Sequence, residues 1–175
     1  MVKKNKGKTA WGAVSIIAVL SVLGAGYLYF SSYPEMDIAM YYSDNSLIST
    51  SNIELTLYTE DNDYNRNSGV CFQVRNSAEN VAPNKVDATN FKVWIETNAI
   101  CENCNANTPF GAFSSQSEEK VCRNVKAPSN LEKIQFTVIP KYDALGLHWE
   151  PATTFSCNFD MEEKNLKHFI CNLDK

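Results

Sequence analysis

The sequence has few of the residues on which most enzymes depend, since only two of its 175 residues are histidine. It contains no nucleophile elbow, phosphate-binding P-loop, dinucleotide fingerprint or HExxH motif. We expect His148 and His168 at the surface or in packing, and the carboxylates are scattered without an evident acid/base couple. These absences argue against an enzyme and against a bound cofactor.

Two further features of the sequence concern the setting and the partners of the protein. None of the 19 asparagines lies in an Asn-x-Ser/Thr sequon, so we expect no Asn-linked glycosylation and favour a bacterial or periplasmic setting. Residues 31–175 carry 12 Lys and Arg against 20 Asp and Glu. This acidic balance disfavours nucleic acid as a partner.

Residues 10–30 carry no charge and predict a transmembrane helix. Twenty-one residues span roughly 30 Å as a helix, which matches the core of a bilayer. Trp11 lies at one end and Tyr27, Tyr29 and Phe30 lie at the other, where aromatic rings favour the membrane interfaces. Four lysines within residues 1–9 predict a cytoplasmic N-terminus and an extracytoplasmic C-terminal domain.

Two alternatives apply to this segment. Gly24-Ala25-Gly26 offers small residues for signal-peptide cleavage, although the apolar run continues to Phe30. If the helix is retained, Ser21 and Ala25 form a small-xxx-small pair with Ala18 on the same face, so the helix can also support self-association. Either way, the rest of the chain is expected outside the cytoplasm.

The remaining chain shows a hydrophobic period of two, which is typical of strands with one buried face. Clear alternation covers residues 53–58, 70–75, 91–96, 133–138 and 154–159, with weaker candidates at 37–42, 120–124 and 167–173. Clusters rich in Asn, Asp and Ser separate them. The pattern predicts a mainly β fold, an antiparallel sandwich of seven or eight strands, with no helix beyond the anchor.

We therefore divide the chain into a basic tail (1–9), a transmembrane helix (10–30), a linker (31–36) and an extracytoplasmic β-sandwich (37–175). Trp94 falls on the polar phase of its strand, where it either covers the second sheet face or belongs to a binding patch. The predicted core comprises Ile53, Leu55, Leu57, Val70, Phe72, Val74, Phe91, Val93, Ile95, Ile134, Phe136, Val138, Phe155 and Phe159.

One stretch carries a family likeness. The sequence GVCFQVRNSAENVAPNKVDATNFKVWIET at 69–97 resembles the immunoglobulin-like CARDB type of adhesion module, with Asn76-Ser77-Ala78 where such modules have Asn-Thr-Gly. The likeness covers about 30 of the 175 residues. It implies an immunoglobulin-like sandwich used for surface adhesion or assembly, and it implies no active-site residues.

All six cysteines lie beyond the anchor, and an even number in an exported domain predicts three disulfides. Strands around Cys157 and Cys171, joined by a hairpin centred near Lys164, place these two cysteines opposite each other. We therefore predict the pair Cys157–Cys171. By elimination, Cys71, Cys101, Cys104 and Cys122 form two more bridges.

The CxxC sequence at Cys101 and Cys104 has two alternative interpretations. A zinc site needs four ligands, and Cys122 and the two histidines do not supply the usual spacing. A redox dithiol normally lies at a helix N-terminus, whereas this one lies in an Asn-rich loop. Structural disulfides remain the favoured interpretation.

The acidic loop 60–67 offers a calcium candidate. Asp61, Asp63 and Asn65 alternate as oxygen-bearing side chains, which suits a hard cation. The loop does not match an EF-hand, because Arg66 and Phe72 stand where that motif requires Gly and Glu. The alternative is a solvated turn between two strands, and we assign no metal site.

The sequence as a whole predicts a non-catalytic interaction or assembly module held in the membrane. Its partners would be the lipid bilayer and other envelope proteins, contacted through the long loops 60–69, 76–90 and 98–118. The second hypothesis is a pilin-like filament subunit processed at Lys6-Gly7, although Lys8 interrupts the apolar segment and no Glu lies near the helix start. The third is a thiol redox or metal site at Cys101 and Cys104.

Overall fold

The structure is a computed structural model that describes residue 21 and residues 36–42, 53–62, 65–78 and 86–174. Ser21 is helical, and the other residues of the predicted anchor, including Trp11, Tyr27, Tyr29 and Phe30, lie outside the described residues. No helix within the described part of the chain has the length and apolar character to cross a membrane.

The described chain is built from antiparallel β-strands. Eleven strands follow in order: β1 Met36–Tyr42, β2 Ile53–Tyr58, β3 Ser68–Asn76, β4 Ala88–Thr97, β5 Ile100–Glu102, β6 Thr108–Phe113, β7 Glu118–Lys126, β8 Lys133–Ala144, β9 Leu147–Trp149, β10 Thr153–Glu163 and β11 Leu166–Asp174. All the strongly and weakly predicted strands are present. The prediction of seven or eight strands was too low.

The additional strands lie where the sequence favours turns. The segment 98–118 was interpreted as a loop, but it contains β5 and β6. Because β6 carries Pro109 and Gly111, and β5 has only three residues, neither produces a clear alternating pattern. β9 is also only three residues long.

The strands form two sheets. The first has the order β1-β3-β7-β5, and the second has the order β2-β11-β10-β8-β4-β6 with β9 paired to one end of β8. From β2 to β8, successive strands alternate between the two sheets. This alternation distributes the chain over both layers and makes most pairings non-local.

The core lies between the inner faces of the sheets. Phe72 of the first sheet is fully buried, with its ring 5.5 Å from that of Phe136 and 6.0 Å from that of Phe155 in the second. Every predicted core residue whose side chain is described is buried, except Phe159. The side chain of Ile53 lies outside the description.

Phe159 was predicted to be in the core but is 39% exposed. Its phase in β10 is inward, since Phe155 and Cys157 are buried. A register shift between Phe159 and Met161 interrupts the pairing with β11, and residues 158–165 are all exposed. β8 pairs with β10 only as far as Asn158, so this arm of the hairpin is exposed, whereas Phe169 opposite Phe159 on β11 is buried.

Candidate interaction surfaces

Three disulfides pair all six cysteines. Cys157 and Cys171 are direct cross-strand partners in the β10–β11 hairpin, with Cα atoms 3.8 Å apart, which confirms the predicted pair. Cys71 and Cys122 are partners across β3 and β7. Two of the bridges therefore cross-link neighbouring strands, one in each sheet.

The CxxC cysteines form the third disulfide. Cys101 belongs to β5 and Cys104 follows in the turn, and both are half-buried. Asn103 and Asn105 adopt left-handed backbone conformations, with φ of 61° and 58°, and the Asn105 amide donates to the Ile95 carbonyl over 2.9 Å. The pair thus lies in a strand and turn, and not at the helix N-terminus that usually activates a redox thiol.

The calcium candidate is only partly described. Asp61 is exposed and its Oδ2 accepts a hydrogen bond from Ser129 Oγ over 2.8 Å, while Asn65 has a left-handed φ of 48°. Asp63 lies outside the described residues. Across the described segments, no group of three His, Cys, Asp or Glu side chains has metal-binding geometry.

Ser129 is held from two sides. The Glu60 carboxylate accepts from the Ser129 hydroxyl and from the Ser129 amide, the latter over 2.8 Å, and these bonds, the hydroxyl's first, lower the pKa of Glu60. The buried Lys167 ammonium donates to the carbonyl of Pro128 over 3.2 Å and to that of Ser129. The Glu60 contacts fasten the β7–β8 connection to the segment that follows β2, and the Lys167 contacts fasten it to β11 close to the turn of the β10–β11 hairpin.

His148 lies between two carboxylates at the opposite end of the second sheet. Its Nδ1 is 2.7 Å from Asp143 Oδ1, and its Nε2 is 3.1 Å from Glu150 Oε1. The tight β8–β9 turn brings this about, because Asp143 and His148 are cross-strand partners. A neutral imidazole has one N–H donor, so only the imidazolium can donate to both carboxylates.

The cluster alters the pKa values of its members. The hydrogen bonds with Asp143 and then Glu150 raise the pKa of His148 above its usual 6.5. The pKa of Asp143 is lowered, mainly by the hydrogen bond from Asn90 and next by that from His148. The pKa of Glu150 is lowered, mainly by the hydrogen bond from His148.

This geometry predicts a specific pH dependence. Because the folded-state pKa of His148 is raised, its stabilising contribution is complete below the unfolded value of about 6.5 and is lost as the pH rises through the folded value. We expect the thermal midpoint of the wild type, relative to His148→Gln, to fall as the pH rises from about 6.5 through the raised folded-state pKa of His148. Parallel pH profiles for the two proteins would contradict this. In NMR titrations, Asp143→Asn should lower the His148 pKa.

The His148 cluster borders a polar cleft of about 530 Å³ on the outer face of the second sheet. The cleft is lined by Asn90, Lys92, Asn107, Lys141, Asp143, His148 and Glu150. Its side chains are largely paired with one another, including Asn90 with Asp143 at 2.6 Å and Lys141 with Glu150 at 3.4 Å. The arrangement is a network of exposed charges.

Trp94 lies next to this cleft. It is half-buried on the outer sheet face, its Nε1 donates to Glu96 Oε1 over 3.0 Å, and the Lys141 ammonium is 5.4 Å from its ring centroid. Trp94 thus covers the second face of the sheet, which was one of the two predicted positions.

A further surface is formed by the tip of the β10–β11 hairpin. Phe159 and Met161 are 39% and 52% exposed, and Asp160, Glu162 and Glu163 flank them. The Lys167 ammonium lies 5.7 Å from the Phe159 ring, and the ring of Phe169 packs edge-on against it. We call residues 158–165 the hairpin tip, and its character is both apolar and acidic.

The sequence analysis expected His148 at the surface or in packing and did not identify its partners. Asp143 and Glu150 were among the scattered carboxylates, and only the β8–β9 turn places them beside the imidazole. Gly146 is the residue of the sequence that could have indicated this contact, because a short turn at Leu145-Gly146 aligns Asp143 with His148. The Cys157–Cys171 pair, by contrast, followed from the cysteine positions and the strand pattern, which left the pairing of the other four cysteines open.

Comparisons with known proteins give no match for this chain. No family model, no curated protein and no solved structure matches it.

Proposed function

We propose that this chain is a single-pass, membrane-anchored interaction or assembly module that displays a disulfide-stabilised β domain outside the cytoplasm. The segment 10–30 is the proposed anchor, and the partners are other envelope proteins. The domain is proposed to be a non-catalytic, immunoglobulin-like sandwich, in keeping with the resemblance of residues 69–97 to CARDB-type modules.

The observation that carries this proposal is the hairpin tip. Eight consecutive residues, 158–165, are exposed, and they include two large apolar side chains. The Cys157–Cys171 bridge holds the two strands together directly below the tip, and the Lys167 contacts fasten them to the β7–β8 connection. A rigidly supported surface feature binds with little loss of conformational entropy.

The composition of the tip suggests the chemistry of its partner. Phe159 and Met161 supply apolar contact area, while Asp160, Glu162 and Glu163 surround them with negative charge. A complementary protein surface would combine an apolar pocket with basic residues at its rim. The acidic groups would then direct association, and the apolar side chains would provide most of the affinity.

The proposal is tested by site-specific photocrosslinking in intact cells of the native host. A photoreactive phenylalanine analogue at Met161 should yield a discrete adduct in the membrane fraction, and the additional change Phe159→Asp should abolish it. The matched control carries the same analogue at Leu147, which is 47% exposed and lies on β9, away from the hairpin. The absence of any adduct at Met161, or the same adducts at Leu147, would refute the tip as the binding surface.

A further inference from the structure

We propose that strand β1 is an edge through which two copies of this chain pair, antiparallel, about a two-fold axis at Ala39. This deepens the proposed assembly function and rests on it. The inference comes from comparing the edges of the two sheets. An unprotected edge strand presents a row of backbone donors and acceptors that favours pairing with another strand.

The β2 edge of the second sheet is closed. The Tyr42 hydroxyl donates to the Glu54 carbonyl over 2.9 Å and accepts from the Thr56 amide over 2.7 Å. The Tyr58 amide donates to Ser68 Oγ over 3.1 Å, and the Tyr58 carbonyl accepts from the Ala127 amide over 2.8 Å. These contacts tie β2 to the first sheet and occupy four of its backbone groups.

The other short edges have features that discourage pairing. β6 contains Pro109, has Gly111 at a φ of 87° and shows two register shifts against β4. β5 and β9 are three residues long each. Short, bulged or proline-containing edges are common means of preventing association.

β1 has none of these features. Its seven residues pair with β3 in unbroken register from Met36 to Tyr42, without proline, glycine or lysine. Within the described residues it pairs with β3 alone. It is therefore the longest edge that lacks a blocking feature.

The side chains of β1 suit a copy of the same strand. Met40 is buried and Met36 and Ile38 pack against the core, so Asp37, Ala39 and Tyr41 lie on the outer face. In an antiparallel pair centred on Ala39, Asp37 of one copy faces Tyr41 of the other.

That register brings opposite charges together. The Lys120 ammonium lies 5.2 Å from the Tyr41 ring centroid, so the Asp37 carboxylate of the second copy would approach a cation. The contact occurs twice because of the two-fold symmetry. The small side chain of Ala39 meets its own copy at the axis, where a larger or charged group would prevent close approach. Charge complementarity therefore selects a second copy as the occupant.

Disulfide trapping of the full-length protein in its native membranes tests this inference. Under mild oxidation, Ala39→Cys should give an intermolecular disulfide between the two introduced thiols, at least about tenfold faster than Gln73→Cys. Gln73 is the matched control, because it faces Ala39 on the neighbouring strand β3 and shares its outer face. Mass spectrometry should show that the three native disulfides are retained.

A second experiment tests the register of the pairing. A mixture of Asp37→Cys and Tyr41→Cys copies should cross-link faster than either variant alone. Adding Ala39→Lys to both copies of this mixture should abolish the cross-linking. Adding Gln73→Lys instead should leave the cross-linking intact, and matching near-UV circular dichroism spectra would show that both lysine variants fold.

Equal cross-linking rates at positions 39 and 73, or no bridge at position 39, would overturn the inference. A persisting adduct at Met161 would then show that the proposed function survives without this dimer.

Discussion

Replacing Phe72 by alanine is expected to destabilise the domain by about 4 kcal/mol, since buried phenylalanines typically cost 3–5 kcal/mol when truncated. Phe72 is fully buried on β3, and its ring contacts Phe136 and Phe155 across the interface between the sheets. The substitution removes aromatic contacts to both strands and leaves a cavity that rigid neighbouring strands cannot fill. Chemical unfolding of the full-length protein in detergent, followed by near-UV circular dichroism, measures the change.

Phe159→Ala is the matched control for this prediction. Phe159 was expected in the same core but is 39% exposed, so its truncation should cost less than about 1 kcal/mol. The two variants remove the same chemical group from different environments. Equal destabilisation would show that the hairpin tip packs against the domain and that our assignment of an exposed tip is wrong.

The second large effect is expected from the disulfides. Removing the Cys71–Cys122 bridge with a double alanine substitution should cost about 4 kcal/mol, because the bridge closes a loop of 51 residues in the unfolded chain. Removing Cys157–Cys171, with a separation of 14 residues, should cost about 3 kcal/mol. The cost of removing a bridge is larger for the longer loop because loop-closure entropy increases with loop length.

The Cys101–Cys104 bridge supplies the control for this series. Its separation of three residues closes a very short loop, so Cys101→Ser with Cys104→Ser should have the smallest effect, below about 2 kcal/mol. Denaturant unfolding of the three double variants under non-reducing conditions gives the order. A reversed order would contradict an entropic origin and would indicate that local packing around each bridge dominates.

The alternating strands were predictable because the apolar and polar residues of each strand show which of its side chains are buried. In β4, Phe91, Val93 and Ile95 are buried while Lys92 and Glu96 are exposed, and this period of two depends only on neighbouring residues. The pairing of Cys157 with Cys171 was equally local, since one hairpin determines it. Such features require no knowledge of the distant chain.

The misassigned elements depended on distant contacts. β6 contains Pro109 and Gly111, which oppose strand formation, yet it forms because β4 offers it an edge with which to pair. Phe159 has the inward phase of a core residue, but β8 pairs with β10 only as far as Asn158, and Phe159 is exposed although its partner Phe169 on β11 is fully buried. Local pattern describes the phase of a residue and not which strands lie beside it.

The sequence by itself determined the β class, the approximate positions of the main strands, the core face of most strands and one disulfide, because these follow from period-two burial and from the geometry of a hairpin. Only the tertiary structure decided the assignment of strands to two sheets, the exposed hairpin tip, the His148 cluster and the pairing of β1 with β3 alone among the described strands. These features depend on which distant segments come together, and many arrangements of the same alternating strands are compatible with the same local pattern.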